Sequence, residues 1–425
     1  MATAQAGDGE SYPLAAQIPL KEFVLPDFPP QASRLRELTL TADIKLDEYQ
    51  SLLQEKPLTQ PELPNVPKSV THLTLELFGL GFPGTPAFLG RLAKCLPNLQ
   101  SLTFFSCLID GLDDSSRKDA ERLFETCTQL QEIHIIDSFA RPGFFKSVGS
   151  ILEKRARENA SKSKKKADND ALGLTEEENQ GGLKVIDVSY TFRGHEDSDF
   201  LARVAGEELS SLIVPGLMGL SFDFVPVPRR DELEEEEQSS EENKKMPEGV
   251  LPFASDGRAP TAIKKRFENL SAGGGGGGGD LTSIKVLNLG MFSLRPAEVG
   301  EIVYACAGGG GDRQAGLVDL TVAVLLEDGW TDSLVAGFGH KEVGKTLEGI
   351  EIIGVPDNDD KSEEEAAATS QDDQSHHDIK LIEQADIEKL EKACPNLGKV
   401  GMSILKVRSA PNVVFLKEDD GWRSM

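Results

Sequence analysis

Paired cysteines are missing from this 425-residue sequence. The five present, Cys95, Cys107, Cys127, Cys306 and Cys394, form no CxxC pair and have no paired-histidine spacing beside them. That excludes a disulfide framework or a structural zinc site as organiser of the fold and points to a reducing compartment. No apolar run approaches the ~18–20 residues that cross a bilayer, and the opening MATAQAGDGESYPLAAQ lacks a basic segment followed by an apolar one. The chain reads as cytoplasmic and/or nuclear, with no membrane partner. Basic residues are scarce, 45 against 71 acidic, giving a formal net charge of −26. Such a surface repels phosphate backbones and argues against nucleic acid as a partner.

Catalytic signatures are missing too. GxSxG and HExxH do not occur, and His72, His134, His195 and His340 have no nucleophile or carboxylate fixed beside them by sequence. His376-His377 stands in a serine- and acid-rich stretch that preorganises no metal. We assign no catalytic residue, no metal ligand and no cofactor. The charge that is present comes in blocks. Asp231–Glu242 and Asp357–Asp378 are acidic and Lys154–Lys166 is basic. Such blocks offer nothing apolar to offset the entropy of ordering, so they read as solvated inserts; Lys162–Lys166 also resembles a weak nuclear-import patch.

What the chain has is a repeat. The pattern apolar–x–x–apolar–x–apolar starts at Leu35, Val70, Leu99, Leu130, Leu183, Leu217, Ile284, Leu317, Leu347 and Leu397. Successive starts lie 35, 29, 31, 53, 34, 67, 33, 30 and 50 residues apart, and the three long intervals each hold a low-complexity insert. Each copy ends in period-two alternation, the mark of a strand with one buried face. Helical spacing appears between copies: Phe88, Leu89, Leu92 and Ala93 with Thr85-Pro86 as cap; Leu123, Phe124 and Cys127; Val299, Ile302, Val303 and Cys306 opened by Pro296; and Ile387, Leu390 and Cys394. A strand and a helix every ~30 residues leave each unit an apolar face that only its neighbours can cover, so the units stack.

The segment Cys95-Leu96-Pro97-Asn98-Leu99 through Leu102, Phe104 and Cys107 resembles the cysteine-containing class of leucine-rich repeats, and Cys127-Thr128-Gln129-Leu130 and Cys394-Pro395-Asn396-Leu397 repeat its helix-to-strand junction. F-box receptors and ribonuclease-inhibitor-like proteins carry such repeats. The resemblance implies an α/β solenoid, a horseshoe of about ten strand–helix repeats with a parallel concave sheet, whose activity is to bind another protein without catalysis. It also raises the alternative of a substrate receptor or adaptor linked to a cullin-type ubiquitin ligase. No F-box is recognisable, because Ser11–Pro30 is broken by prolines where that module is helical. The expected layout is a flexible or capping segment at 1–30, a solenoid at 31–410 and a tail at 411–425. Inserts are expected at about 159–181, 226–259, 273–279, 307–315 and 356–378, on the two rims. No motif encodes the partner's identity or an oligomeric state.

Two places invite a site. In the strands, residues between the apolar positions point away from the core. One such column reads Thr39, Thr74, Thr103, His134, Asp187, Ser221, Asn288, Thr321, Glu351 and Gly401; the next reads Thr41, Glu76, Phe105, Ile136, Ser189, Asp223, Gly290, Ala323, Ile353 and Ser403. Phe105 and Ile136 form an apolar pair bordered by His134, Asp187, Ser189 and Asp223, the composition of an interface core and rim. The other place is Gly339–Thr346 (GHKEVGKT), which matches the phosphate-binding pattern GxxxxGK[ST]. There Gly339, Gly344, Lys345 and Thr346 would hold a nucleotide if Ser333–Phe338 were a strand and a helix followed. The next residues, LEGIEIIGV, are strand-like and coincide with the ninth repeat, which favours a helix-to-strand turn.

Overall fold

The structure, a computed structural model, describes residues 13–19, 28–41, 66–76, 88–111, 113–169, 182–192, 203–226, 258–272, 284–307, 316–355, 381–404, 412–419 and 421–425. The expected inserts at 273–279 and 356–378 lie outside these residues, as do most of those at 226–259 and 307–315, the Thr85-Pro86 cap, His195 and His376-His377. All ten motif copies form strands. Residues 1–191 with 214–217 make one compact unit, and residues 192–213 with 218–425 make a second.

In the first unit β1 (Ala15–Pro19), β2 (Glu37–Thr41), β3 (His72–Glu76), β4 (Ser101–Phe105), β5 (Glu132–Ile136) and β6 (Val185–Phe192) pair in chain order, all parallel. The register aligns the motif's apolar positions. Leu38, Leu73, Leu102, Ile133 and Ile186 form one row and Leu40, Leu75, Phe104, Ile135 and Val188 the next, none more than 2% exposed. Burying each side chain contributes about 2 kcal/mol. Backbone bonds fix the step between repeats. The carbonyl of Arg36 accepts the N–H groups of Thr71 and His72, that of Thr71 those of Gln100 and Ser101, and that of Gln100 those of Gln131 and Glu132. Two donors per junction are thereby satisfied by one acceptor of the preceding repeat.

Helices α1 (Phe88–Cys95), α2 (Asp114–Thr126) and α3 (Phe144–Asn169) cover the apolar side. Asp119 of α2 caps α1, its carboxylate accepting the N–H groups of Leu89 and Gly90 at 2.8 Å each. Asp113 caps α2 through the N–H of Ser116 at 2.8 Å. The core between them is aromatic: Phe104 lies 6.0 Å from Phe124, which lies 6.2 Å from Phe144.

The second unit holds β7 (Gly219–Pro226), β8 (Val286–Leu294), β9 (Asp319–Leu325), β10 (Gly349–Val355) and β11 (Lys399–Ile404), parallel, followed by β12 (Val413–Glu418) and β13 (Gly421–Ser424), antiparallel. Its helices are α4 (Arg258–Ala272), α5 (Pro296–Cys306), α6 (Trp330–Gly339) and α7 (Gln384–Ala393). Leu220, Leu287, Leu320, Ile350 and Val400 continue the motif's buried row. Each unit is a strand–helix solenoid whose strands carry the apolar–x–x–apolar–x–apolar motif.

Four expectations change. Ser333–Phe338 belongs to α6, not to a strand: Trp330, Leu334 and Phe338 fall four residues apart and bury one helical face. The basic stretch from Lys154 belongs to α3, which continues to Asn169. Arg155 there is half-buried, donating to the carbonyls of Cys127, at 2.9 Å, and of Phe124, where it satisfies the end of α2. The start, expected to be flexible or capping, contains β1, which pairs along the outer edge of β2 as a cap does; the expected tail contains the β12–β13 hairpin. In β8 the register passes from Leu289↔Val322 to Ser293↔Ala323, so Gly290–Phe292 bulge and Ser293, not Gly290, is the register partner of Ala323, while Gly290 still faces Asp223 and Ile353 of its column.

Candidate protein-binding face

Parallel in-register pairing turns period-two alternation into a surface. In the first unit Thr39, Thr74, Thr103, His134 and Asp187 align across β2–β6, and Thr41, Glu76, Phe105, Ile136 and Ser189 align beside them. Phe105 and Ile136 are direct register partners, ~5 Å apart across the strands. Both are half-buried. The face therefore brings together Phe105, His134, Ile136, Asp187 and Ser189. Asp223 lies in the second unit, on β7, where its carboxylate accepts the N–H of Phe224 at 2.9 Å.

His134 is the electrostatic centre of this face. Its Nδ1 lies 3.4 Å from Oδ2 of Asp187 and its Nε2 lies 3.8 Å from Oε2 of Glu132. The Asp187 contact holds the imidazole above the ordinary histidine range, opposed by partial burial and reinforced by Glu132. A raised pKa means that the pair's contribution to stability is complete below the unfolded value, near 6.5, and is lost as pH rises through the folded value. We expect the His134 ring signals in an NMR titration to report a midpoint above 6.5, and Asp187→Asn to bring it down; a midpoint unmoved by Asp187→Asn would contradict the assigned contact.

Glu132 was not among the residues singled out from the sequence. It precedes the two columns read there, and a third column, Glu37, His72, Ser101, Glu132 and Val185, would have shown it. Just beyond the apolar pair, Ser106 and Asp137 share a left-handed backbone, φ 52° and 47°, that turns the chain out of β4 and β5 at the same point of the repeat. The turn seats Cys107 and Ser138 inward. The Cys107 thiol donates to the carbonyl of Leu75 at 3.1 Å, and the Ser138 hydroxyl donates to the carbonyl of Ile136 at 2.9 Å while accepting the Cys107 N–H at 3.0 Å. The rim under Phe105 and Ile136 is thus built from satisfied backbone groups.

Buried groups that resemble catalytic ones are committed elsewhere. The Asp110 side chain has no exposure, and burial raises its pKa; its Oδ1 accepts the Arg141 N–H at 2.8 Å. The Cys127, Cys306 and Cys394 thiols are pushed up to about 12 by burial, far from the range of a thiolate nucleophile. Among the described residues, no group of three His, Cys, Asp or Glu is arranged to hold a metal, and no helix is long and apolar enough to cross a membrane.

The GxxxxGK[ST] segment has a different geometry from a phosphate-binding loop. It begins at the end of α6, passes through a 3-10 helix, His340–Thr346, and enters β10. A phosphate loop requires the reverse, a strand leading into a helix N-terminus. Each residue also has a place in the array. A side chain on Gly344 would collide with the Cys394 sulfur and, at 2.9 Å, the Ala393 carbonyl. The Thr346 hydroxyl donates to the carbonyl of Leu317 at 2.7 Å, as Ser69 does to Leu35 at 2.7 Å, from the same position one residue before the motif. The carbonyl of Lys345, whose side chain is exposed, accepts from Asn396 at 2.8 Å, as that of Lys68 does from Asn98 at 2.8 Å. Glycine, threonine and the lysine backbone serve repeat-to-repeat bonding, and Gly339 faces open space.

A scan against protein-family models and a search of the curated proteins both find no match. Among solved structures, an internalin (inlF) from Listeria monocytogenes str. 4b F2365 is similar at 11% identity and a TM-score of 0.28, over 77% of this chain and 64% of that one. This chain thus spans less than two thirds of the internalin's length. The repeat architecture rests on the ten motif-borne strands and their register.

Proposed function

We propose that the chain is a non-enzymatic interaction protein that holds another protein on the sheet face of its first unit, centred on Phe105 and Ile136. One observation carries this reading: in-register strands set these two apolar side chains side by side, half-buried, on a face whose other outward residues are mostly polar. An apolar centre ringed by polar groups is the composition of a recognition surface. Parallel strands without bulges between β2 and β6 give the partner a regular row of side chains to meet. We place this activity in the cytoplasm and/or nucleus, where thiols such as buried Cys107 and Cys127 stay reduced.

The test is affinity capture with tagged full-length chain. A partner retained by wild type is expected to fall at least about tenfold with Phe105→Asp/Ile136→Asp, since burying an unpaired charge removes more than 1.4 kcal/mol of binding. The helix-side variant Lys118→Glu/Glu125→Lys is expected to retain it, both residues being exposed on α2. Retention by the first variant and loss by the second would overturn the assignment.

A further inference from the structure

The outward strand positions of the first unit carry four carboxylates, Glu37, Glu76, Glu132 and Asp187, and neither lysine nor arginine. Among the described residues, none of the four pairs with a lysine or arginine. Glu76 accepts from Thr41 at 3.2 Å and Gln17 at 3.5 Å, both uncharged. Among the described residues, Glu132 and Asp187 meet the His134 imidazole. Arg36 and Lys184 stand just ahead of β2 and β6, and Arg36 is turned to the carbonyl of Ser69 at 2.9 Å. The carboxylates flank the apolar pair. Glu132 lies on the same strand as Ile136, ~13 Å along it, and Asp187 is on the neighbouring strand. Like charges gathered on one face repel each other until a partner of opposite sign arrives, and such complementarity also selects against acidic partners.

We propose that the occupant of this face is a cationic protein segment, lysines or arginines on either side of an apolar side chain that seats against Phe105 and Ile136. The proposal rests on the reading of this face as a protein-binding surface and adds the chemistry of the partner. It carries a pH signature. His134 faces uncharged Thr103 on β4, Asp187 on β6 and Glu132 on its own strand, so its protonation adds a positive charge between two carboxylates. Binding of a cation therefore weakens as pH falls from about 8 to about 6.

The experiment is fluorescence anisotropy on the full chain with a fluorescein-labelled peptide of alternating lysine and leucine, beside a twin with serine for lysine. Because a net charge of −26 attracts any polycation, the variants decide. Glu132→Gln/Asp187→Asn, which keeps shape and removes two charges, is expected to weaken the lysine peptide about tenfold. Glu125→Gln/Glu158→Gln, which removes two charges from exposed helix positions, is expected to change it less than about twofold. Phe105→Ser/Ile136→Ser is expected to weaken both peptides, His134→Asn to reduce the pH dependence, and His134→Asn/His72→Asn, which removes both histidines of the face, to abolish it. Equal losses in the two charge variants, or equal binding of the serine twin, would overturn the cationic assignment and leave the binding face standing, provided Phe105→Ser/Ile136→Ser still weakens binding. Indifference to Phe105→Ser/Ile136→Ser would overturn the face itself.

Discussion

Phe124→Ala is expected to destabilise the first unit by about 3–5 kcal/mol. Phe124 has no exposure and sits on α2 between Phe104 of β4, 6.0 Å away, and Phe144 of α3, 6.2 Å away. It is therefore the side chain through which a strand and two successive helices share one core. Removing it leaves a cavity whose walls belong to different repeats, and the regular strand spacing prevents them from collapsing together. In a stacked array stability is a sum of repeat terms and nearest-neighbour terms, and this substitution removes part of both. The measurement is the urea midpoint of the full chain together with hydrogen exchange of the β4 and β5 amides. A change under about 1 kcal/mol would contradict the placement of Phe124 at the junction.

The second large effect belongs to Gly300. A Cβ built there would stand 2.6 Å from the Cα of Gly337, so α5 and α6 approach through a glycine–glycine contact in which backbone meets backbone. No flexible side chain is available to give way. Gly300→Leu is expected to cost about 3 kcal/mol through overpacking, more than the ~1 kcal/mol that replacing glycine in a helix returns. Gly300→Ala, whose Cβ alone makes the 2.6 Å contact, is expected to be destabilising too, whereas the matched Gly339→Ala, whose Cβ meets nothing within 4 Å, should leave the urea midpoint unchanged or slightly raised. Equal effects at the two positions would contradict the close approach of the helices.

The strands were legible because their signal is redundant. Ten copies of one pattern each place buried residues at the same offsets, so an error in any one copy leaves the register of its neighbours intact. What was not legible is what depends on more than one repeat at once. Met291 and Phe292 are adjacent and both buried, which period-two alternation cannot accommodate, and only the pairing with β9 shows that they bulge. Ser333–Phe338 is apolar at either period; the helix emerges only when Trp330, four residues ahead of Leu334, is seen to share its buried face. The extension of α3 was hidden by composition, because a run of lysines reads as solvated whatever backbone carries it.

The candidate face was legible for the same reason as the strands, and incomplete for the same reason as the bulge. Phe105, Ile136, His134, Asp187 and Ser189 fall out of the alternation directly. Glu132 required a third column, and the place of Asp223 in the second unit depends on long-range packing that no local pattern records. The phosphate-loop match shows the converse hazard. Its threonine and second glycine are present because a hydroxyl and a missing side chain serve the junction between repeats, by the same bond that Ser69 makes in an unrelated local sequence.

The most direct measurement is photo-crosslinking of the full chain with a benzophenone amino acid placed in turn at Phe105, at Ile136 and at the exposed helix residue Lys118. One protein partner is expected to be captured from positions 105 and 136 and not from position 118, with excess lysine–leucine peptide suppressing the capture. Capture from position 118 with none from 105 or 136 would contradict it, and would move binding to the helical side of the array.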